Sequence, residues 1–173
     1  MNDYHTIFPA LDPSSKLWIY VANQKLTLNI VQDLEANLQS FIGAWSSHGR
    51  TVLADFQIVD QQIVILSAFV EQGEISGCGI DKSLHVLEQF AEKNGFEWLG
   101  HLSIMYRDES GHLHIVSRAQ FRALAKEGVV TEATVVLDSS ISSLSELRNG
   151  GFERSAGTSW HGRVFQLPTS LTI

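Results

Sequence analysis

The chain contains one cysteine, Cys78, three prolines and no run of basic residues. A lone cysteine supports neither an intramolecular disulfide nor a CxxC metal site. The thiol is free, as suits a reducing cytosol. Lys and Arg total 12 against 19 Asp and Glu, for a net charge of −7. An acidic surface repels phosphate backbones, so nucleic acid is excluded as an expected partner. No apolar stretch approaches the roughly 20 residues that span a bilayer; the longest, IVILSAFV (63–70), has strand length. The opening MNDYHTIFPALDPSS lacks the basic and apolar regions of a signal peptide. These absences lead to the expectation of a cytoplasmic protein with no membrane partner. Motifs are missing too. There is no G-x-x-x-x-G-K-[ST], no G-x-G-x-x-G after a strand, no G-x-S-x-G elbow and no H-E-x-x-H. No cofactor and no metal site are expected.

What is present is ordinary globular composition. The 173 residues are 44% hydrophobic and 18% charged, enough for one domain with a sizeable core. Residues 1–15 read as an irregular arm, and 16–173 as a single α+β domain. Strands are expected at KLWIYVAN (16–23), TVLADFQIV (51–59), IVILSAFV (63–70) and EWLGHLSIMYRD (97–108). Leu28, Val31, Leu34, Leu38, Phe41, Ile42 and Trp45 recur at helical spacing after the cap residue Thr27. Ile80, Leu84, Leu87, Phe90 and Ala91 form a second stripe, ending at Gly95. The order over 16–108 is β-α-β-β-α-β. That predicts a ferredoxin-like sandwich, an antiparallel sheet with two helices on one face. A C-terminal αβ extension, 109–173, follows. Within it Ser117 and Gln120 have capping-box spacing, as do Ser143 and Glu146; ATVVLDS (133–139) reads as a strand and the tail as loop with a short strand.

Three segments carry candidate chemistry. In EISGCGIDKS (74–83) Cys78 stands between Gly77 and Gly79, just before a helix. A helix N-terminus offers unpaired N–H groups and partial positive charge. It can activate a thiol or hold a carboxylate or phosphate without chemistry. The glycines permit the positive φ of an anion-binding nest, and Ser76, Asp81 and Ser83 add polar groups. The plainer alternative makes Asp81 an N-cap, the glycines turn residues and Cys78 a buried small hydrophobe. Second, His-Gly-Arg occurs twice: His48, Gly49 and Arg50 after Trp45, and His161, Gly162 and Arg163 after Trp160. The repeat offers two imidazoles and two guanidiniums to an anion; turn chemistry and core packing explain it equally. Third, His112 and His114 share one side of a strand but lack a third ligand nearby in sequence. His85 and His101 stand alone.

The segments FIGAWSSHGRTVLADFQI, IVILSAFVEQGEISGCGIDKSLHVLEQF and SWHGRVFQL resemble those of a small bacterial protein family, some of whose members carry the label ABC transporter ATPase. Its pattern is W-x-x-H-G, then S-G-C-S-I-D-x-S, then W-H. The resemblance spans most of 16–165. It marks Trp45, His48, Gly49, Ser76, Gly77, Cys78, Ile80, Asp81, Ser83, Trp160 and His161. Gly79 stands where the family has serine, and Val70 and Glu71 stand where it has Asp-Glu. The family brings no biochemical function with it. The ATPase label has no support here, because the chain lacks the phosphate-binding loop such an enzyme needs.

Three readings stay open at this level. The first is a module that binds a small anion through residues 76–83 with His48 and His161, the ligand-binding set being Trp45, Gly49, Arg50, Ser76, Gly77, Gly79, Asp81, Ser83, Trp160 and Arg163. The second is an acyl or phosphoryl transferase or hydrolase with Cys78 as nucleophile and His48 or His161 as base. The third is an assembly protein, such as a homodimer, joined through a sheet face or edge.

Overall fold

A computed structural model describes residues 2–169. The chain is α+β and falls into two compact units: 7–99 with 142–145, and 2–6 with 100–141 and 146–169. The sequence reading anticipated one domain over 16–173. The N-terminal arm is divided as well. Tyr4 packs in one unit, while Phe8 and Leu11 are buried in the other.

The first unit holds β1 (Lys16–Val21), α1 (Leu28–Ala44), the short strands β2 (Ser46–Ser47) and β3 (Arg50–Thr51), β4 (Leu53–Val59), β5 (Ile63–Phe69) and α2 (Gly77–Asn94). Its sheet has three antiparallel strands in the order β1-β5-β4. β5 is buried from Ile63 through Ala68, as its mostly apolar sequence requires, and the one hydroxyl within it, that of Ser67, donates to the Lys16 carbonyl at 3.0 Å. The tight β4–β5 connection places Asp60 and Gln61 at positive φ, with the Gln62 N–H on the Val59 carbonyl at 3.0 Å. α1 begins at its expected cap: the Thr27 hydroxyl accepts from the Ile30 N–H. Leu34 and Leu38 of α1 meet Leu87, Phe90 and Ala91 of α2 and Val64 of β5 in one core. Trp45, Leu66, Ala68, Val70 and Ile75 form a second. On α2 the buried turn is filled by Ser83, and Leu84 faces outward.

The expected four-stranded ferredoxin-like sheet does not form. Its predicted last strand, 97–108, breaks at Gly100. Trp98 makes one antiparallel bridge to Ala22 and fastens its indole N–H to the Leu87 carbonyl at 2.8 Å. Beyond the break the chain enters a different sheet.

That sheet belongs to the second unit. β6 (Ser103–Arg107), β7 (Leu113–Ser117), β8 (Val135–Leu137) and β9 (Glu153–Ser155) lie antiparallel in the order β7-β6-β8-β9. α3 (Arg118–Lys126) opens with the predicted capping box between Ser117 and Gln120. α4 (Leu144–Arg148) starts directly after Ser143, its first two residues belonging to the first unit and the rest to the second. The tail is more ordered than its composition suggests: a 3-10 turn (Ala156–Thr158) leads into α5 (Trp160–Phe165). Ile104, Tyr106, Phe121, Val136, Ala156 and Phe165 share its core. Arg107 and Glu153 form a buried bidentate pair, at 2.8 and 3.1 Å, that the Tyr4 hydroxyl and the Asn2 side chain also join. Burial pushes Tyr4 up. It pushes Glu153 up too, but Arg107 outweighs it and holds the carboxyl low. Among the described residues no helix is long and apolar enough to cross a membrane.

Candidate functional site

In the first unit the W-S-S-H-G-R segment is a hairpin fastened to the start of α2. His48 (φ 51°) and Gly49 (φ 75°) both sit in the left-handed region. Two such residues between paired Ser47 and Arg50 make the turn whose twist matches a two-residue hairpin. Trp45 is buried against Phe41, centroids 4.9 Å apart, and donates its indole N–H to the Gly79 carbonyl at 3.0 Å. The buried Ser47 hydroxyl accepts from the Ser76 N–H at 3.0 Å and pairs with the Ser76 hydroxyl at 2.9 Å. Ser76 in turn accepts from the Gly79 N–H at 3.1 Å.

Ser76, not Asp81, is therefore the N-cap, and α2 begins earlier than the sequence suggests. The cap geometry follows from Ser76 itself, extended at φ −65° and ψ 159° with its hydroxyl over the first turn. Cys78 lies within that first turn rather than ahead of it. The nest reading of the glycines is overturned: neither Gly77 nor Gly79 has positive φ. Gly79 is glycine because a Cβ there would meet Ile75 Cγ2 at 2.9 Å and the Ser47 hydroxyl at 3.1 Å. Gly77 has open space around it. Ser83 turns inward and gives its hydroxyl to the Ile80 carbonyl at 2.7 Å, so it belongs to the core.

What this leaves exposed is a compact set: His48, Gly49 and Arg50 on the hairpin, and Gly77, Cys78, Asp81 and Lys82 on the helix. Among the described residues the N–H groups of Gly77 and Cys78 meet no protein acceptor, and no hydrogen bond joins Cys78 to His48. Lys82 reaches the Ser46 carbonyl at 3.4 Å. The Arg50 guanidinium donates to the Gln72 carbonyl, in a cleft lined by Arg50, Thr51, Leu53, Val70, Glu71 and Gln72.

The second unit uses the other His-Gly-Arg differently. Here Ser159 caps α5, and His161 is 1% exposed. Its Nδ1 lies 2.9 Å from the Ser159 hydroxyl, and its ring stacks on Trp160 at 3.8 Å. Burial lowers its pKa from 6.5 to about 4, against the opposing pull of the Asp138 charge. Gly162 is needed for closeness rather than for φ: a Cβ would meet the Ala156 carbonyl at 2.8 Å. Arg163 is exposed. Asp138, which sequence reasoning passed over, is buried and accepts from the Ser140 N–H and hydroxyl, Trp160 Nε1 and Arg154 Nη2. Burial raises its pKa, but these donors more than reverse the effect and keep it low. Its sequence signal was slight, a lone aspartate ending an apolar strand. Elsewhere in this unit His114 and His112 both approach Asp108, at 2.8 and 3.5 Å, and the His114 bond is the main cause holding Asp108 at about 2. Among the described residues no group of three His, Cys, Asp or Glu side chains is arranged to hold a metal ion.

The sequence-predicted residues thus fall into two sets, one in each unit. Trp45, Ser76 and Gly79 build the hairpin–helix corner, and His48, Arg50, Gly77, Cys78 and Asp81 are displayed on it. Trp160, His161 and Arg163 belong to α5. Comparison with protein-family models, with curated proteins and with solved structures finds no match to this chain.

Proposed function

We propose that the first unit is a small-anion binding module whose ligand, a phosphate, sulfate or carboxylate group, seats on the N-terminal turn of α2. The observation that carries this is the pair of exposed, unmet N–H groups of Gly77 and Cys78 at the positive end of an 18-residue helix. Such groups bind oxyanions through direct hydrogen bonds and the helix dipole. The Ser47–Ser76 link and the Trp45–Gly79 bond hold the turn rigid. A pre-organised site loses less entropy on binding. Arg50, carried with His48 on the docked hairpin, and Lys82, one turn along α2, supply cationic donors beside it, and the His48 ring adds a further N–H. The site so proposed is built from the first unit alone; His161 belongs to the second unit, where its imidazole is buried.

Gly77→Pro tests the proposal. Proline at the first helical position keeps the helix but removes one N–H, and the extended Ser76 already has the backbone that precedes proline. Phosphate added at matched ionic strength is expected to raise the unfolding temperature of the native protein and to leave the variant unmoved. Equal responses would reject the site. Cys78 reports on the catalytic alternative: iodoacetamide alkylation with an ordinary thiol pH profile, unchanged in His48→Ala, removes the nucleophile reading.

A further inference from the structure

The second unit carries a surface unlike the acidic chain around it. α3 bears Arg118, Arg122 and Lys126 and no Asp or Glu; α5 bears Arg163 and no acid. Arg118 and Arg122 are one turn apart on one face of α3. The Arg118 guanidinium carbon lies 5.6 Å from the Trp160 ring centre and that of Arg122 lies 5.7 Å from the Phe165 ring centre. A guanidinium over a ring is held by cation–π attraction with its N–H fork left at the edge, already oriented for bidentate pairing. Trp160 is itself fixed, stacked on His161 and anchored to Asp138. Arg154 is spent on Asp138 at 3.1 Å. Among the described residues Arg118, Arg122 and Arg163 have no carboxylate in ion-pair reach.

We infer that this arginine–aromatic face is a docking surface for an acidic polypeptide segment, whose carboxylates pair with Arg118, Arg122 and Arg163. Charge complementarity selects the occupant. The cations are exposed on two short helices, which suits a chain of spaced carboxylates. A nucleic acid would bring a far denser negative charge against a protein of net charge −7.

Fluorescence anisotropy with a labelled oligoglutamate peptide at low salt tests this. The peptide is expected to bind, and Arg118→Ala/Arg122→Ala to weaken binding by about tenfold or more, the loss of two charge-assisted contacts. Peptide binding that falls in Arg118→Ala/Arg122→Ala belongs to this face, whereas binding lost in Gly77→Pro instead would assign the carboxylates to the α2 turn and overturn the inference, so this proposal and the anion module are told apart. Both arginines are exposed, and circular dichroism of the variant checks that it keeps its fold. Absence of peptide binding, equal binding by the double variant, or tighter binding of a single-stranded oligothymidine would each overturn the inference.

Discussion

Gly77 and Gly79 are two residues apart on one helix turn, yet physical chemistry separates them. Both adopt helical backbone, where alanine is favoured over glycine by about 1 kcal/mol. At Gly77 nothing lies within 4 Å of an added Cβ, so Gly77→Ala is expected to raise stability by about 0.5 kcal/mol. At Gly79 the same methyl meets Ile75 and Ser47, and Gly79→Ala is expected to cost about 1–3 kcal/mol. Urea unfolding of both variants checks the contrast; equal effects would show that the corner is loosely packed. His161 makes the second residue-scale prediction. Its folded pKa of about 4 lies below the ordinary 6.5, so the unfolded chain binds the proton first as pH falls. Its contribution is whole above pH 6.5 and is lost between 6.5 and 4, by about 3 kcal/mol. His161→Phe is expected to flatten stability over that window, whatever its absolute stability. An unchanged slope in the variant would assign the acid sensitivity to other groups.

At the scale of elements, the two His-Gly-Arg tripeptides show why a short motif does not carry a structure with it. One lies between paired serine and arginine and becomes a hairpin turn. The other follows the cap Ser159 and becomes the start of a helix, with its imidazole buried. The local words are the same; the neighbours decide. β4 gives the element-scale prediction. It is an edge of its sheet, and self-pairing antiparallel about Phe56 would set Phe56 opposite Phe56 and Asp55 opposite Gln57, with no like charges facing. Asp55 stands against this: its carboxylate accepts the Phe56 N–H at 2.8 Å and places a charge on the edge. Charged residues are a common guard on edge strands. Asp55→Ala is expected to self-associate with rising concentration in sedimentation velocity, more than the native chain does. Identical sedimentation would mean that the edge is protected by something other than Asp55.

For the whole molecule, the legible part was periodic. The spacing of Leu34 and Leu38, the Thr27 and Ser117 caps, and the apolar run of β5 all specify their elements locally, and the structure keeps them. What was not legible was long-range. No periodicity says that the strand predicted over 97–108 is cut at Gly100, with Trp98 pinned to Leu87 on one side and β6 paired with β7 and β8 on the other. Nor does composition reveal that Ser47 and Ser76 meet across 29 residues of chain, which is what moves the helix start to Ser76 and puts Cys78 in its first turn. The candidate residues were found by type; their roles came from these contacts. The central claim is that the free N–H groups of that turn hold an oxyanion. It is tested most directly by following backbone amide chemical shifts during titration with inorganic phosphate at constant ionic strength. The account predicts that the Gly77 and Cys78 amides move furthest and saturate, and that the Cys78 response collapses in Gly77→Pro. Saturating shifts centred elsewhere, or none at all, would contradict it.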